Sequence, residues 1–115
     1  KAVGSYLGKV EVARGAQQTD GEQSVKAMLL DRGATANCKP ELEIFADDVK
    51  CAHGASVGEL DATQMFYAMS RGLDPASARA LLLEGFVMGL WDNVADALQR
   101  EAICTAAREA LRRDA

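Results

Sequence analysis

Nowhere does this 115-residue sequence hold the roughly 18 uninterrupted apolar residues that a membrane-crossing helix needs, so a spanning helix is excluded. The opening Lys1 to Val12 alternates instead of forming the solid apolar block of a secretory leader, so a leader is not expected in this stretch. The sequence opens at Lys1 without an initiator Met, which leads us to expect a piece of a larger protein. Positive charge is not in excess: 13 Lys and Arg stand against 17 Asp and Glu, for a net −4. No broad positive field is available for phosphate backbones, and nucleic-acid binding is not expected. Lysine disappears after residue 50, and the second half carries only Arg, which hints at two structural regimes. Cysteine is scarce and odd in number, three in all, which fits reduced thiols in a cytosolic compartment better than a disulfide framework.

Helical periodicity is absent from Val3 to about Gly58. In its place are short extended pieces broken by turn-formers. Val10 and Val12 alternate with Lys9 and Glu11, the pattern of a one-sided strand. Ser24 to Leu30, Leu42 to Ala46 and Val49 to His53 are further candidates, in a half with room for about six strands of average length. Gly15, Gly21, Gly33, Asn37, Pro40 and the Asp47-Asp48 pair are predicted to fall in the spacers. Evenly spaced short strands suit a sandwich, a small barrel or the coils of a β-helix, and periodicity alone leaves these open. The direct opening on a strand favours a solenoid.

The remainder reads as helices. Leu60-Asp61-Ala62-Thr63-Gln64-Met65 has the form of a capping box with a hydrophobic staple, predicting a helix to about Arg71 that is closed by Gly72. Asp74 followed by Pro75 predicts a second helix start. Leu81, Leu82, Leu83, Phe86, Val87, Met88, Leu90 and Trp91 make that helix apolar over too wide a surface to be wetted on one side. A third helix, about residues 93–112, is predicted to cover part of it with Val94, Leu98, Ala102, Ala106 and Ala110. Phe86, Met88 and Trp91 then either remain for a partner or pack on the strand half.

One chemically suggestive constellation stands out, Val49-Lys50-Cys51-Ala52-His53-Gly54. On an extended backbone Cys51 and His53 project from the same face roughly 7 Å apart, so a thiolate and an imidazole could approach one soft or borderline metal ion. A closed structural zinc site takes four such ligands, and Cys38 and Cys104 lie at spacings that match no zinc pattern. The site would therefore be completed by another subunit. The structural alternative makes Cys51 a small buried hydrophobe and His53 a hydrogen-bonded strand-end residue. A Cys–His hydrolase, with Asp47 or Asp48 orienting the imidazole, is the enzymatic alternative. Parallel same-strand side chains and the lack of an oxyanion-hole motif count against it. Gly4, Gly8 and Gly15 form no phosphate-binding loop, since no helix follows them.

The stretch Lys39-Pro40-Glu41-Leu42-Glu43-Ile44-Phe45-Ala46-Asp47-Asp48-Val49-Lys50-Cys51-Ala52-His53-Gly54-Ala55-Ser56-Val57-Gly58 resembles the signature of the SufD branch of the SufB/SufD iron–sulfur cluster assembly family. Gly15 to Asp20 is similar to the last β-helix coils of that family. Phe66-Tyr67, Ser70-Arg71-Gly72, Ala78 and Leu81-Leu82 are similar to its C-terminal helices. The resemblance implies the terminal coils of a right-handed parallel β-helix (a β-solenoid) over residues 1–59 and a small helical domain over 60–115. It implies a non-catalytic scaffold that pairs with a SufB-like subunit and docks a SufC-like ATPase. By the same resemblance His53, with Cys51 beside it, stands at the SufB interface and assists a transient Fe–S cluster there, with no cofactor held by this piece alone. Phe86, Met88 and Trp91 are the candidates for ATPase docking. The open strand edge would also let two copies pair. A self-contained metal-binding or Cys/His hydrolytic domain is the alternative from another class, and a purely structural interaction module is a third.

Overall fold

A computed structural model describes residues 1–113, in which four strands precede three α-helices. The strands are β1 (Val3–Val12), β2 (Asp20–Leu29), β3 (Thr35–Ile44) and β4 (Lys50–Glu59). The helices are α1 (Ala62–Ser70), α2 (Pro75–Met88) and α3 (Ala97–Arg113), with a single 3₁₀ turn at Gly89–Trp91. Two compact units result, Lys1–Glu59 and Leu60–Ala115.

In the first unit pairing skips one strand each time. β1 pairs with β3, and β2 with β4, both in parallel. Val3 lies beside Thr35 and Val12 beside Ile44, while Asp20 lies beside Lys50 and Leu29 beside Glu59. Each residue is thus neighboured by the one 32 positions on in the first sheet and 30 positions on in the second.

The turns stack with the strands. The backbone amide of Phe45 donates to the Val12 carbonyl at 2.9 Å, and that of Lys50 to the Thr19 carbonyl at 2.9 Å. Gln17 joins the two corners. Its Nε2 donates to Asp47 Oδ1 at 2.9 Å, and its Oε1 accepts from the Asp48 backbone N–H at 2.8 Å. The Asp47-Asp48 pair is therefore a turn held by an amide. Asp31 closes the β2–β3 corner by accepting from the Gly33 backbone amide at 2.6 Å, a local bond typical of aspartate in turns.

Period-2 alternation sets the faces. In β2, Gly21, Gln23, Val25 and Ala27 are half-buried while Glu22, Ser24 and Lys26 are exposed. Val12, 2% exposed, is the one fully buried apolar side chain of this unit among the described residues. On a charged face Lys9 pairs with Glu43, and Lys39 Nζ lies 3.2 Å from Glu41 Oε1. The Glu43 carboxylate, accepting a hydrogen bond from Lys9, raises the ammonium pKa.

These strands correct several sequence expectations. Four strands of ten residues replace about six short ones, and Gly21, Asn37 and Pro40 lie inside strands. Pro40 brings no amide proton, but β3 is an edge of a two-stranded sheet, where that loss is tolerated. Gly8 is required by packing. A Cβ there would overlap Gln23 Nε2 and the Tyr6 hydroxyl, because the Tyr6 side chain folds across Gly8 to reach Gln23.

The helical unit follows its local signals closely. Asp61 Oδ1 accepts from the backbone amides of Thr63 at 2.7 Å and Gln64 at 3.1 Å. At the other end of α1, Gly72 has φ +99°. Its amide donates to the Met69 carbonyl at 3.0 Å and that of Leu73 to the Ala68 carbonyl at 3.4 Å, the paired bonds of a Schellman motif. Asp74 caps α2 by accepting from the Ser77 amide at 2.9 Å, with Pro75 opening the helix. Hydrogen bonding from Ser77 lowers the Asp74 pKa below the usual aspartate value.

α3 starts later than expected, at Ala97, because Asp96 captures the Gln99 amide at 3.0 Å and so serves as the cap. Its packed side also differs. Ile103, Cys104, Ala107 and Leu111 are half-buried, whereas Leu98 is 80% exposed and Ala102, Ala106 and Ala110 are exposed. Larger side chains gain more from covering than alanines do, and Arg108 Nε donating to Glu84 Oε1 at 2.6 Å ties that side to α2. The same ion pair raises the Arg108 pKa.

Candidate functional site

β4 carries the candidate site. Its lower half, Lys50-Cys51-Ala52-His53, continues straight into Gly54-Ala55-Ser56-Val57, so His53 is the fourth residue of a ten-residue strand and not a strand end. Cys51 and His53 stand two apart and share one face. Cys51 is half-buried. Its Sγ lies 3.9 Å from where a Cβ on Gly21 would be, a point that is itself 4.0 Å from Val10 Cγ1, so the thiol sits by the apolar side of β2. His53 is exposed, and its side chain makes no hydrogen bond among the described residues.

Register places Gly21 beside Cys51 and Gln23 beside His53. β4 has β2 on one edge and no strand on the other, since its sheet has two strands. The backbone of the Cys51–His53 tract is therefore open to pairing along one side.

As chemistry, the arrangement offers two donors and no more. Among the described residues no group of three or more His, Cys, Asp or Glu side chains comes together as a metal site. Cys38, on β3 beside Tyr6, and Cys104, on α3, are free thiols on other elements. Neither aspartate named for orienting the imidazole bonds it among the described residues: the Asp47 carboxylate accepts from Gln17, the Asp48 backbone N–H donates to Gln17, and no carboxylate groups with Cys51 and His53. A Cys–His–Asp hydrolytic arrangement is thus not assembled.

The second candidate set is distributed unevenly. Phe86, Met88 and Trp91 are all half-buried, and the Trp91 indole N–H is buried without an acceptor among the described residues. The more exposed apolar side chains nearby are Leu81 at 55% and Leu90 at 59%, residues that sequence reasoning placed in the covered surface. It also missed the Tyr6–Gln23 bond at 2.8 Å, which joins β1 to β2. The available signal was a glutamine at an inward position of an alternating Gly21–Ala27 run.

Residues 1–86 match the family described as SUF system FeS cluster assembly, SufBD core domain. The chain belongs to this SufBD family. The match takes in all four strands, α1 and most of α2, and so includes the Cys51–His53 tract. The Arabidopsis thaliana protein ABCI7, chloroplastic, is 48% identical over 81 residues, covering 70% of this chain and 17% of that protein. Iron–sulfur cluster assembly protein SufD of Escherichia coli is 40% identical over 91 residues, 79% of this chain and 22% of that protein. SufD of Bacillus subtilis is 38% identical over 81 residues, 70% and 18% respectively. This SufBD chain spans about a fifth of the length of these three curated relatives. Among its described residues no helix is long and apolar enough to cross a membrane, which leaves strand-built barrels unaddressed.

Proposed function

We propose that this chain serves iron–sulfur cluster assembly as a non-catalytic scaffold element, with His53, assisted by Cys51, as a ligand presented to a SufB-type partner. The observation that carries the reading is the incomplete donor set on an open strand: two donors share one face of β4, and the other edge of that strand is unpaired. Two donors cannot close a site alone, but a strand or loop from a partner laid along β4 brings its own thiolates to the same place. The nascent Fe–S cluster is the cargo of this interface and not a resident cofactor of the chain.

The constant register offsets of 32 and 30 residues support a further part of the proposal. In this reading they correspond to two successive coils of a right-handed parallel β-helix, β1 with β2 forming one turn and β3 with β4 the next. In such a solenoid the last coil has an exposed edge that a partner coil can continue. The helical residues receive a SufC-type ATPase, through Phe86, Met88 and Trp91 with the better exposed Leu81 and Leu90. Cytoplasmic work alongside these partners is part of the same reading.

The test replaces His53 by Ala in the full-length protein and follows cluster formation in the complex with SufB-type and SufC-type partners. Folding and complex formation are expected to persist while cluster yield falls. An undiminished yield would remove His53 from the mechanism. Stoichiometric metal binding or ester hydrolysis by the isolated 115-residue chain would favour the self-contained domain instead.

A further inference from the structure

The Gln23 side chain is half-satisfied in a place where that matters. Its Nε2 donates to the Tyr6 hydroxyl at 2.8 Å, which fixes the plane of the amide. Its Oε1 is buried and has no hydrogen-bond partner among the described residues. Buried amide oxygens are rarely left this way, and an orphaned one calls for a donor. The register supplies a candidate: Gln23 on β2 is paired with His53 on β4. Paired residues of adjacent parallel strands put their side chains on the same face about 4.8 Å apart, within the span of a glutamine. His53 is the only histidine of the chain, and its ring has no other hydrogen-bond partner among the described residues.

We propose that Gln23 is the positioning residue for His53: its orphaned Oε1 accepts a hydrogen bond from one imidazole N–H, selecting a single tautomer. The other ring nitrogen keeps its lone pair and is directed to the open edge of β4. A histidine that serves as a ligand through one nitrogen commonly donates its second N–H to a fixed acceptor, which sets both tautomer and ring orientation. Tyr6 acts one step behind, holding the Gln23 amide from β1, and Gly8 leaves the room for that contact. The functional consequence rests on the reading of His53 as a ligand. The hydrogen bond itself does not.

A single histidine makes the test direct. The 115-residue chain, labelled with ¹⁵N-histidine, is observed by NMR at pH about 8.5, about two units above the ordinary histidine pKa. In the wild type the two ring nitrogens are expected at well-separated shifts of one tautomer, with the imidazole proton visible. Gln23→Leu removes the acceptor, and the nitrogens are expected to move toward averaged values with loss of the proton signal. Gln23→Glu keeps an acceptor of the same length and is expected to keep the wild-type pattern, whereas a merely space-filling role would leave the pattern unchanged in Gln23→Leu as well. Should Gln23→Leu disturb the β2 and β4 backbone amides, Tyr6→Phe gives the second arm: the anchor goes, the acceptor stays, and partial averaging is expected. Averaged nitrogens in the wild type, or shifts that both variants leave in place, overturn the proposal. Cluster yield of His53→Ala is measured in the assembled complex, so the ligand role and the hydrogen bond can fail separately.

Discussion

Replacing Gly8 by Ala probes the contact on which the arrangement around β4 depends. The backbone at Gly8 lies outside the left-handed region, so alanine meets no conformational barrier there, and its cost is entirely one of space. The new methyl would overlap Gln23 Nε2 and the Tyr6 hydroxyl and ring, and the tyrosine must swing away. That breaks the Tyr6–Gln23 bond, a net loss of about 0.5–1.5 kcal/mol for an exposed bond. Restricting the unfolded chain offsets about 0.4–1 kcal/mol of this. The balance is a destabilisation of up to about 1 kcal/mol, which at a urea dependence near 1–1.5 kcal/mol per molar lowers the midpoint by up to about 1 M. Urea titration followed through the backbone amide signals of β1 to β4 reads this unit without interference from the helices. In a Tyr6→Ala background the ring overlap is gone and only the released Gln23 amide has to move, so the same glycine substitution is expected to cost clearly less. A neutral Gly8→Ala in the wild type, or an equal cost in both backgrounds, would refute the reasoning.

Gly72→Ala forces a β-carbon into φ +99° and is expected to destabilise the α1–α2 junction by about 1–2 kcal/mol, read from thermal unfolding by Trp91 fluorescence. Asp74 has a folded pKa below its ordinary value, so its contribution is present above about pH 4 and is lost as pH falls through the lower folded value. Asp74→Asn is therefore expected to flatten the acid limb of the helical unit's stability profile, and an unchanged limb would count against the cap as its source. Glu84→Gln is expected to loosen α3 from α2 mildly at low salt and not at high salt, because the Arg108 pair is exposed and open to screening. Titration of the isolated chain with ferrous or zinc ions is expected to give no tight stoichiometric site, since Cys51 and His53 are joined by no third donor among the described residues.

The parts legible from sequence are those decided within a few residues. Asp61, Gly72 and the Asp74-Pro75 pair announce helix ends through bonds that reach at most five positions along the chain, and these ends lie where expected. Strand lengths were harder to read. Gly21, Asn37 and Pro40 favour turns locally, yet each is carried into a strand by pairing with a residue 30 or 32 positions away. The packed side of α3 was misjudged for a similar reason. An alanine stripe with Leu98 and the Ile103–Leu111 side are both plausible by period, and the Glu84–Arg108 pair selects the second. At the candidate site, the common face of Cys51 and His53 followed from the alternation of a strand. The Tyr6–Gln23 pair behind it, 17 residues apart and formed by two polar groups, left only the alternation of β2 as a trace.

Mixing the isotope-labelled chain with an unlabelled SufB-type protein and mapping which signals respond is the most direct test of an interface at β4. The backbone amides of Cys51 to Val57 and the ring nitrogens of His53 are expected to shift or broaden first, while α3 signals stay in place. Responses confined to the helices, or a β4 that does not notice the added protein, would contradict the account.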